Sequence, residues 1–288
     1  MGKLGADPFS ISVSGFDMAG TLLMEYWKSA KLPTEGIRRH QDIKTPTICH
    51  ILDATGKVAA GVASVEAIFS SSGLVFRFLL TIAASVYHYF VWLFSAVAAE
   101  SNIPVWFEPV SVAKSKRIAP IVKYITFASP NEDELIAMAN ALSSENLFRP
   151  IENNKCSTDT SFQMLKPAIW FLFQKGVKVL VLTIGSDGVI LCTKGEPNSW
   201  RIDLEKSHLH GFSQQLFETM TSSLVGEMLA SLSSVLDVMQ SVAIGIAAAK
   251  ASVEVDSNVP SQFSLETITG DVKIVYSAAK VMQHQSKL

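Results

Sequence analysis

Three cysteines, Cys49, Cys156 and Cys192, are all that a chain of 288 residues contains, and they are scattered and odd in number. That excludes a disulfide framework and predicts a reducing compartment. No zinc spacing is present either, because His208 and His210 flank Leu209 without further ligands and read as polar loop. Charge of one sign is equally lacking: 24 Lys and Arg stand against 26 Asp and Glu, for a net charge of −2. Without a basic stripe, neither nucleic acid nor an anionic lipid surface has an electrostatic footprint, and small-molecule chemistry is left. The opening MGKLGADPFSISVSG has neither the charged start nor the apolar run of a secretory signal. No internal repeat is visible.

The length suits one large α/β domain with a sizeable core. Residues 9–15 (FSISVSG) read as a strand, and MAGTLLMEYWKSAKL as a helix that stops at the turn Leu32-Pro33. TPTICHILDATGKVAAGVASV alternates around Asp53-Ala54-Thr55-Gly56, which predicts two strands and a turn. VWFEPV and YITFASP are short buried strands on either side of the basic SVAKSKRIAPIVKY. A helix follows in NEDELIAMANAL, then the strand VKVLVLTI, the turn GSDG and a returning strand VILC. From Ser222 the chain reads as mainly helical. Strands alternating with helices predict a parallel-rich sheet covered on both faces.

One segment breaks the rhythm. Between Arg77 and Glu100, FLLTIAASVYHYFVWLFSAVAA carries no charge unless His88 is protonated. As a helix it would measure about 33 Å, enough for a bilayer core, so a membrane span and a buried insert both fit the composition.

Local signals for chemistry are short. In ASPNEDELIAMANAL, Asn131 and Glu134 have the spacing of a capping box. The same residues also follow a strand, where open α/β sheets bind ligands and a carboxylate can hold Mg2+ through water. Gly185 and Gly188 after VLVLTI form a glycine turn, or a backbone edge that phosphates can approach. SVAIGIAAAKASVEV is a helix whose small residues, Ala243, Gly245, Ala247, Ala248 and Ala249, suit close helix packing or room for a flat base. The terminal Ser286, Lys287 and Leu288 match the address read by the peroxisomal import receptor.

Taken in order, SGFDMAGTLL, GIRRHQDIKTPTICHILDATGK, ASPNEDE, VLTIGSDGV and IGIAAAKASVE resemble the PfkB (ribokinase-like) carbohydrate kinases over most of the chain, apart from residues 68–97. The resemblance implies a single three-layer α/β/α domain over residues 1–288, with a mostly parallel sheet and a small β lid near residues 45–65. It also implies transfer of the ATP γ-phosphate to a sugar hydroxyl of a nucleoside or sugar, with pseudouridine ranked first among acceptors. Asn131 and Glu134 match the N-x-x-E motif that organises Mg2+ and phosphate, and Thr183, Gly185 and Gly188 match the strand and turn beside ATP. Asp17 and Gly20 match a signature whose role is read as structural. A homo-oligomer is left open.

Three departures temper the kinase expectation. The family's G-A-G-D loop, whose N–H groups form an anion hole and whose Asp is the catalytic base, aligns with Thr219, Met220, Thr221 and Ser222. Its glycines and carboxylate are missing, so no catalytic residue is assigned; Glu218 or Glu227 could help only from a rearranged loop. The family's first strand and glycine-containing sugar segment do not precede SGFDMAG. The apolar residues 68–97 replace a strand and helix so abruptly that alternative splicing or a gene-model error is expected rather than gradual divergence. An impaired kinase is expected, with a non-catalytic nucleotide-binding homologue as the alternative.

Overall fold

The computed structural model describes residues 6–10, 12–45, 47–52, 58–63, 92–93, 95–150, 158–185, 188–194, 199–204, 214–254 and 264–284. In chain order its elements are β1 (Ser12–Gly15), α1 (Met18–Ser29), β2 (Ile37–His40), β3 (Ile48–Leu52), β4 (Val58–Ala63), β5 (Trp106–Phe107), α2 (Val112–Ser115), β6 (Phe127–Ala128), α3 (Glu132–Leu142) and α4 (Thr158–Lys175). Then follow β7 (Val179–Thr183), β8 (Val189–Lys194), β9 (Ser199–Leu204), α5 (Gln214–Ser233), α6 (Val238–Val253), α7 (Leu265–Ala278) and β10 (Ala279–His284). They fall into two compact units, one of residues 1–86 and 212–269, the other of residues 87–211 and 270–288.

In the first unit, β1 and β2 are parallel, with Ser12 opposite Ile37 and Gly15 opposite His40. Parallel neighbours need a crossover, and α1 supplies it. Its N-cap is Asp17, which accepts from the Gly20 amide, and it ends at Ala30 just before Lys31 turns to a φ of 55°. β3 and β4 pair antiparallel as a hairpin with a register irregularity at Ile51/Leu52. The residues of its turn, 53–57, lie outside the described part.

Helices α5 and α6 pack closely in the same unit. A Cβ on Gly245 would stand 2.8 Å from the Leu224 carbonyl oxygen and 2.8 Å from Met228 Cγ. Ala243, Ala247, Ala248 and Ala249 are buried around it, so the small-residue stripe serves close packing. The Ser223 and Ser252 hydroxyls join the two helices at 3.0 Å.

The second unit is built on a six-stranded sheet in the order β10-β9-β8-β7-β6-β5. β5, β6 and β7 run parallel, whereas β7 through β10 continue antiparallel. Its core joins Leu135 and Met138 of α3, Leu165 and Leu172 of α4, Leu180 and Leu182 of β7, and Ile190 of β8, all fully buried. Cys192 is a buried thiol on β8.

Helix α4 had no counterpart in the sequence reading, because Pro167 stands in its middle and argues locally for a break. Yet Phe162, Leu165, Ala168, Ile169, Leu172 and Phe173 are buried at helical spacing, and that apolar stripe holds the helix against the core. Strands β2 and β10 were likewise unforeseen, since IRRH and AKVMQH carry little apolar alternation; β9 was passed over although Trp200, Ile202 and Leu204 alternate with Ser199, Arg201 and Asp203.

Of the apolar stretch 78–99, only residues 92–93 and 95–99 are described, and they are helical. Among the described residues no helix is long and apolar enough to cross a membrane. His208, His210 and Ser286–Leu288 lie outside the described residues.

Candidate functional site

The three parallel strands of the second unit end side by side. Each hands the chain to a turn or helix start at its carboxyl end, which is where open α/β sheets place ligands. From β6 the chain passes through buried Ser129 and Pro130 to Asn131, the N-cap of α3. Glu134 donates its amide to Asn131 Oδ1 at 2.9 Å, and the Asn131 amide donates to Glu134 Oε2 at 2.9 Å. The capping box read from the sequence is therefore complete. It also holds a buried carboxylate, 5% exposed, at the strand end.

Strand β7 brings Thr183 to the same place. Asn131 and Thr183 form a parallel bridge, and the Thr183 amide donates to the Pro130 carbonyl at 3.0 Å. Beyond it, the Ile184 amide donates to the Gly188 carbonyl at 2.9 Å, while Gly185 and Gly188 have φ of 53° and 99°. Both glycines sit at positive φ, where a Cβ is disfavoured. Asn131, Glu134 and Thr183 are thus brought together, with Gly185 and Gly188 in the turn that follows.

Strand β5 adds residues that sequence reasoning passed over. The Trp106 indole stacks on Phe127 with centroids 4.9 Å apart and planes 8° from parallel, and donates its Nε1–H to Ser129 Oγ at 2.7 Å. The Ser129 hydroxyl in turn donates to Glu108 Oε2. Burial pushes the Glu108 carboxyl up to about 7; the Glu134 charge works in the same direction, and the Ser129 hydrogen bond opposes both. Just beyond buried Pro109, Val110 has a φ of 65°, an outlier for a β-branched residue. The available signal was the carboxylate of VWFEPV, which directly follows β5 as Ser129 directly follows β6.

Thr219, Met220, Thr221 and Ser222 behave differently from expectation. Helix α5 begins at Gln214, so these residues lie inside it rather than in a loop at its mouth. The orphan amides of a helix are its first four, here those of Gln214 to Phe217, and the later ones are engaged within the helix. With no glycine between Gly211 and Gly226, nothing in the letters interrupts the helix. The stretch is neither an anion hole nor a cap. Glu227 is buried further along the same helix, 9% exposed.

No family model matches the chain. The pseudouridine kinase of Arabidopsis thaliana is 41% identical to it over 337 residues, covering 99% of this chain and 88% of that protein. Among solved structures, ribokinase of Giardia lamblia has a TM-score of 0.66 at 15% identity, over 93% of this chain and 84% of that one. Arabidopsis thaliana ribokinase, solved with ribose and ATP, has a TM-score of 0.61 at 14% identity, over 91% and 81% of the two chains. At such identities the structures speak for the fold, which is ribokinase-like, and the curated relative speaks for the family. The chain belongs to the ribokinase-like (PfkB) carbohydrate kinases, with a plant pseudouridine kinase as its relative.

Proposed function

We propose that this chain is an ATP-dependent phosphotransferase acting on a sugar hydroxyl of a nucleoside, with pseudouridine as acceptor, and that its transfer step is weakened. The observation that carries the reading is 41% identity to a pseudouridine kinase across nearly the whole chain. The strand-end constellation supports it, because Asn131, Glu134 and Thr183 stand together beside a glycine turn. ATP as donor is supported by the ribokinase relative solved with ribose and ATP.

A divalent cation suits the same residues. Glu108 and Glu134 are two carboxylates close enough for one to raise the other's pKa, a repulsion that an oxygen-seeking cation relieves. Glu108, Asn131 and Glu134 would hold Mg2+, whose chemistry in this family of reactions is to neutralise charge on the transferred phosphoryl group. The chain's own part is to keep these carboxylates fixed: Ser129 orients Glu108, and the Asn131 amide orients Glu134.

The weakened transfer rests on the unbroken helix at Thr219–Ser222. A missing general base lowers rate by about 10²- to 10⁴-fold, and a lost anion-hole donor by a further 10²- to 10³-fold or so. The second reading, a nucleotide-binding homologue without turnover, draws on that same helix. ADP release from Mg-ATP, with pseudouridine, ribose and adenosine offered in turn beside a Ser222→Asp variant, separates them. Pseudouridine-dependent release supports the kinase; ATP binding with no release from any acceptor supports the homologue. The terminal Ser286–Leu288 is proposed as a peroxisomal address, supported by its letters; import of a fluorescent fusion with and without these residues tests it.

A further inference from the structure

We infer that Asp17 is a positioning residue for the β3–β4 hairpin, the small β lid of this family, acting through Thr45. The inference rests on the kinase reading only for the word lid; the geometry stands by itself. Asp17 Oδ1 accepts from the Gly20 amide at 2.8 Å and from the Thr45 hydroxyl at 2.7 Å, while Oδ2 accepts from the Thr45 amide at 2.7 Å. Thr45 Oγ1 also accepts from the Gly15 amide at 2.9 Å. One carboxylate therefore joins three places: the end of β1, the first turn of α1, and the chain three residues ahead of β3.

The junction has no slack. A Cβ on Gly15 would meet the Ile43 carbonyl oxygen at 2.2 Å, and one on Gly20 would meet the Gly15 carbonyl oxygen at 2.4 Å and Thr45 Oγ1 at 2.6 Å. Arg39 closes it from β2, donating Nε to the Gly15 carbonyl at 3.0 Å and Nη2 to the Thr21 hydroxyl at 3.1 Å while lying 4.5 Å from the Phe16 ring centre. Hydrogen bonds from the Thr45 side chain and the Gly20 amide hold the Asp17 carboxyl below its ordinary range, so it is charged at neutral pH. By contrast, β3 and β4 hydrogen-bond only to each other among the described strands. The hairpin's direction therefore depends on how the chain leading into it is held, and Thr45 is held there by Asp17.

An N-cap needs one acceptor, whereas this junction needs the whole carboxylate. Asn caps a helix as well as Asp does, so Asp17→Asn keeps α1 but presents an amide to one of the two Thr45 donors. Thr45→Val keeps the shape and removes the hydroxyl, and Thr45→Ser restores the hydroxyl alone. Hydrogen exchange over residues 48–63 is the first readout because it needs no turnover. Asp17→Asn and Thr45→Val are expected to speed exchange there several-fold with α6 and β7 unchanged, and Thr45→Ser to return it to the parent rate. Unchanged hairpin exchange in folded variants overturns the inference, as does an equal loss of protection throughout the chain. Where ADP release is measurable, KM for the nucleoside should rise with kcat kept, and a fall in kcat at constant KM counts against it. Absence of release from every variant bears on the kinase reading, since the exchange result is independent of it.

Discussion

The indole N–H of Trp106 and the hydroxyl of Ser129 meet at 2.7 Å, and an indole can only donate. Ser129 must therefore accept from Trp106 and turn its own proton toward Glu108. The direction of this relay is set by chemistry, and it fixes one carboxylate oxygen at the carboxyl end of the parallel strands. Ser129→Ala removes the interaction that holds the Glu108 pKa down, so Glu108 should titrate above about 7. Carboxyl carbon NMR with labelled glutamate reads this directly, and an unchanged midpoint would show that the relay is energetically idle.

Glu108 also makes stability depend on pH. Its carboxyl is raised from an ordinary 4.5 to about 7 in the fold, so the folded state holds a proton that the unfolded chain has lost. Stability is then greatest below the unfolded value and falls as pH rises through the interval to about 7. The full loss is on the order of 3 kcal/mol at 1.36 kcal/mol per pKa unit. Urea midpoints should fall from about pH 5 to about pH 8 in the parent chain more than in Glu108→Gln, which cannot ionise. Equal slopes in the two proteins would contradict the assignment.

Glu134 has two roles that one substitution separates. Glutamine serves in a capping box as glutamate does, so Glu134→Gln should leave α3 in place while removing the charge that raises Glu108. The expected result is a lower Glu108 pKa with a melting temperature near that of the parent. Asn131→Ala should instead cost about 1 kcal/mol of stability through the lost cap. If Glu134→Gln leaves the Glu108 titration in place, the coupling is absent.

The turn glycines are not equivalent. Gly185, at a φ of 53°, occupies the left-handed region that asparagine tolerates, whereas Gly188 is at 99°. Gly185→Asn should be accepted with a small loss, and Gly188→Ala should destabilise by about 1–3 kcal/mol. Denaturant unfolding of both variants decides the order.

Gly245 tests the helix pair. Any side chain there meets the Leu224 carbonyl and Met228 Cγ at 2.8 Å, and Met228 yields more readily than backbone. Gly245→Val should therefore destabilise by about 1–3 kcal/mol or more, as overpacking does, despite the usual preference for side chains over glycine within a helix. A stability equal to the parent's would mean that the helices separate at little cost.

What the sequence determined by itself was local. The Asn131–Glu134 capping box and the glycine turn at Gly185 and Gly188 rest on neighbours within a few residues, and backbone chemistry at that range is legible in the letters; the stripe around Gly245 suited packing or a flat base alike until Leu224 and Met228 were placed against it. Their order along the chain also carried the family resemblance. What only the tertiary structure decided joins distant residues. Trp106 reaches Ser129 across 23 positions and Ser129 reaches Glu108 across 21, and the Asp17–Thr45 junction spans 28. Helix α4 keeps Pro167 because the core rewards the burial of Leu165 and Leu172 more than the proline penalises the helix. Thr219–Ser222 are helix interior because the helix starts upstream of them, at Gln214. Local propensity is additive along the chain, but burial and pairing depend on which strands lie side by side, and only the folded chain supplies that adjacency.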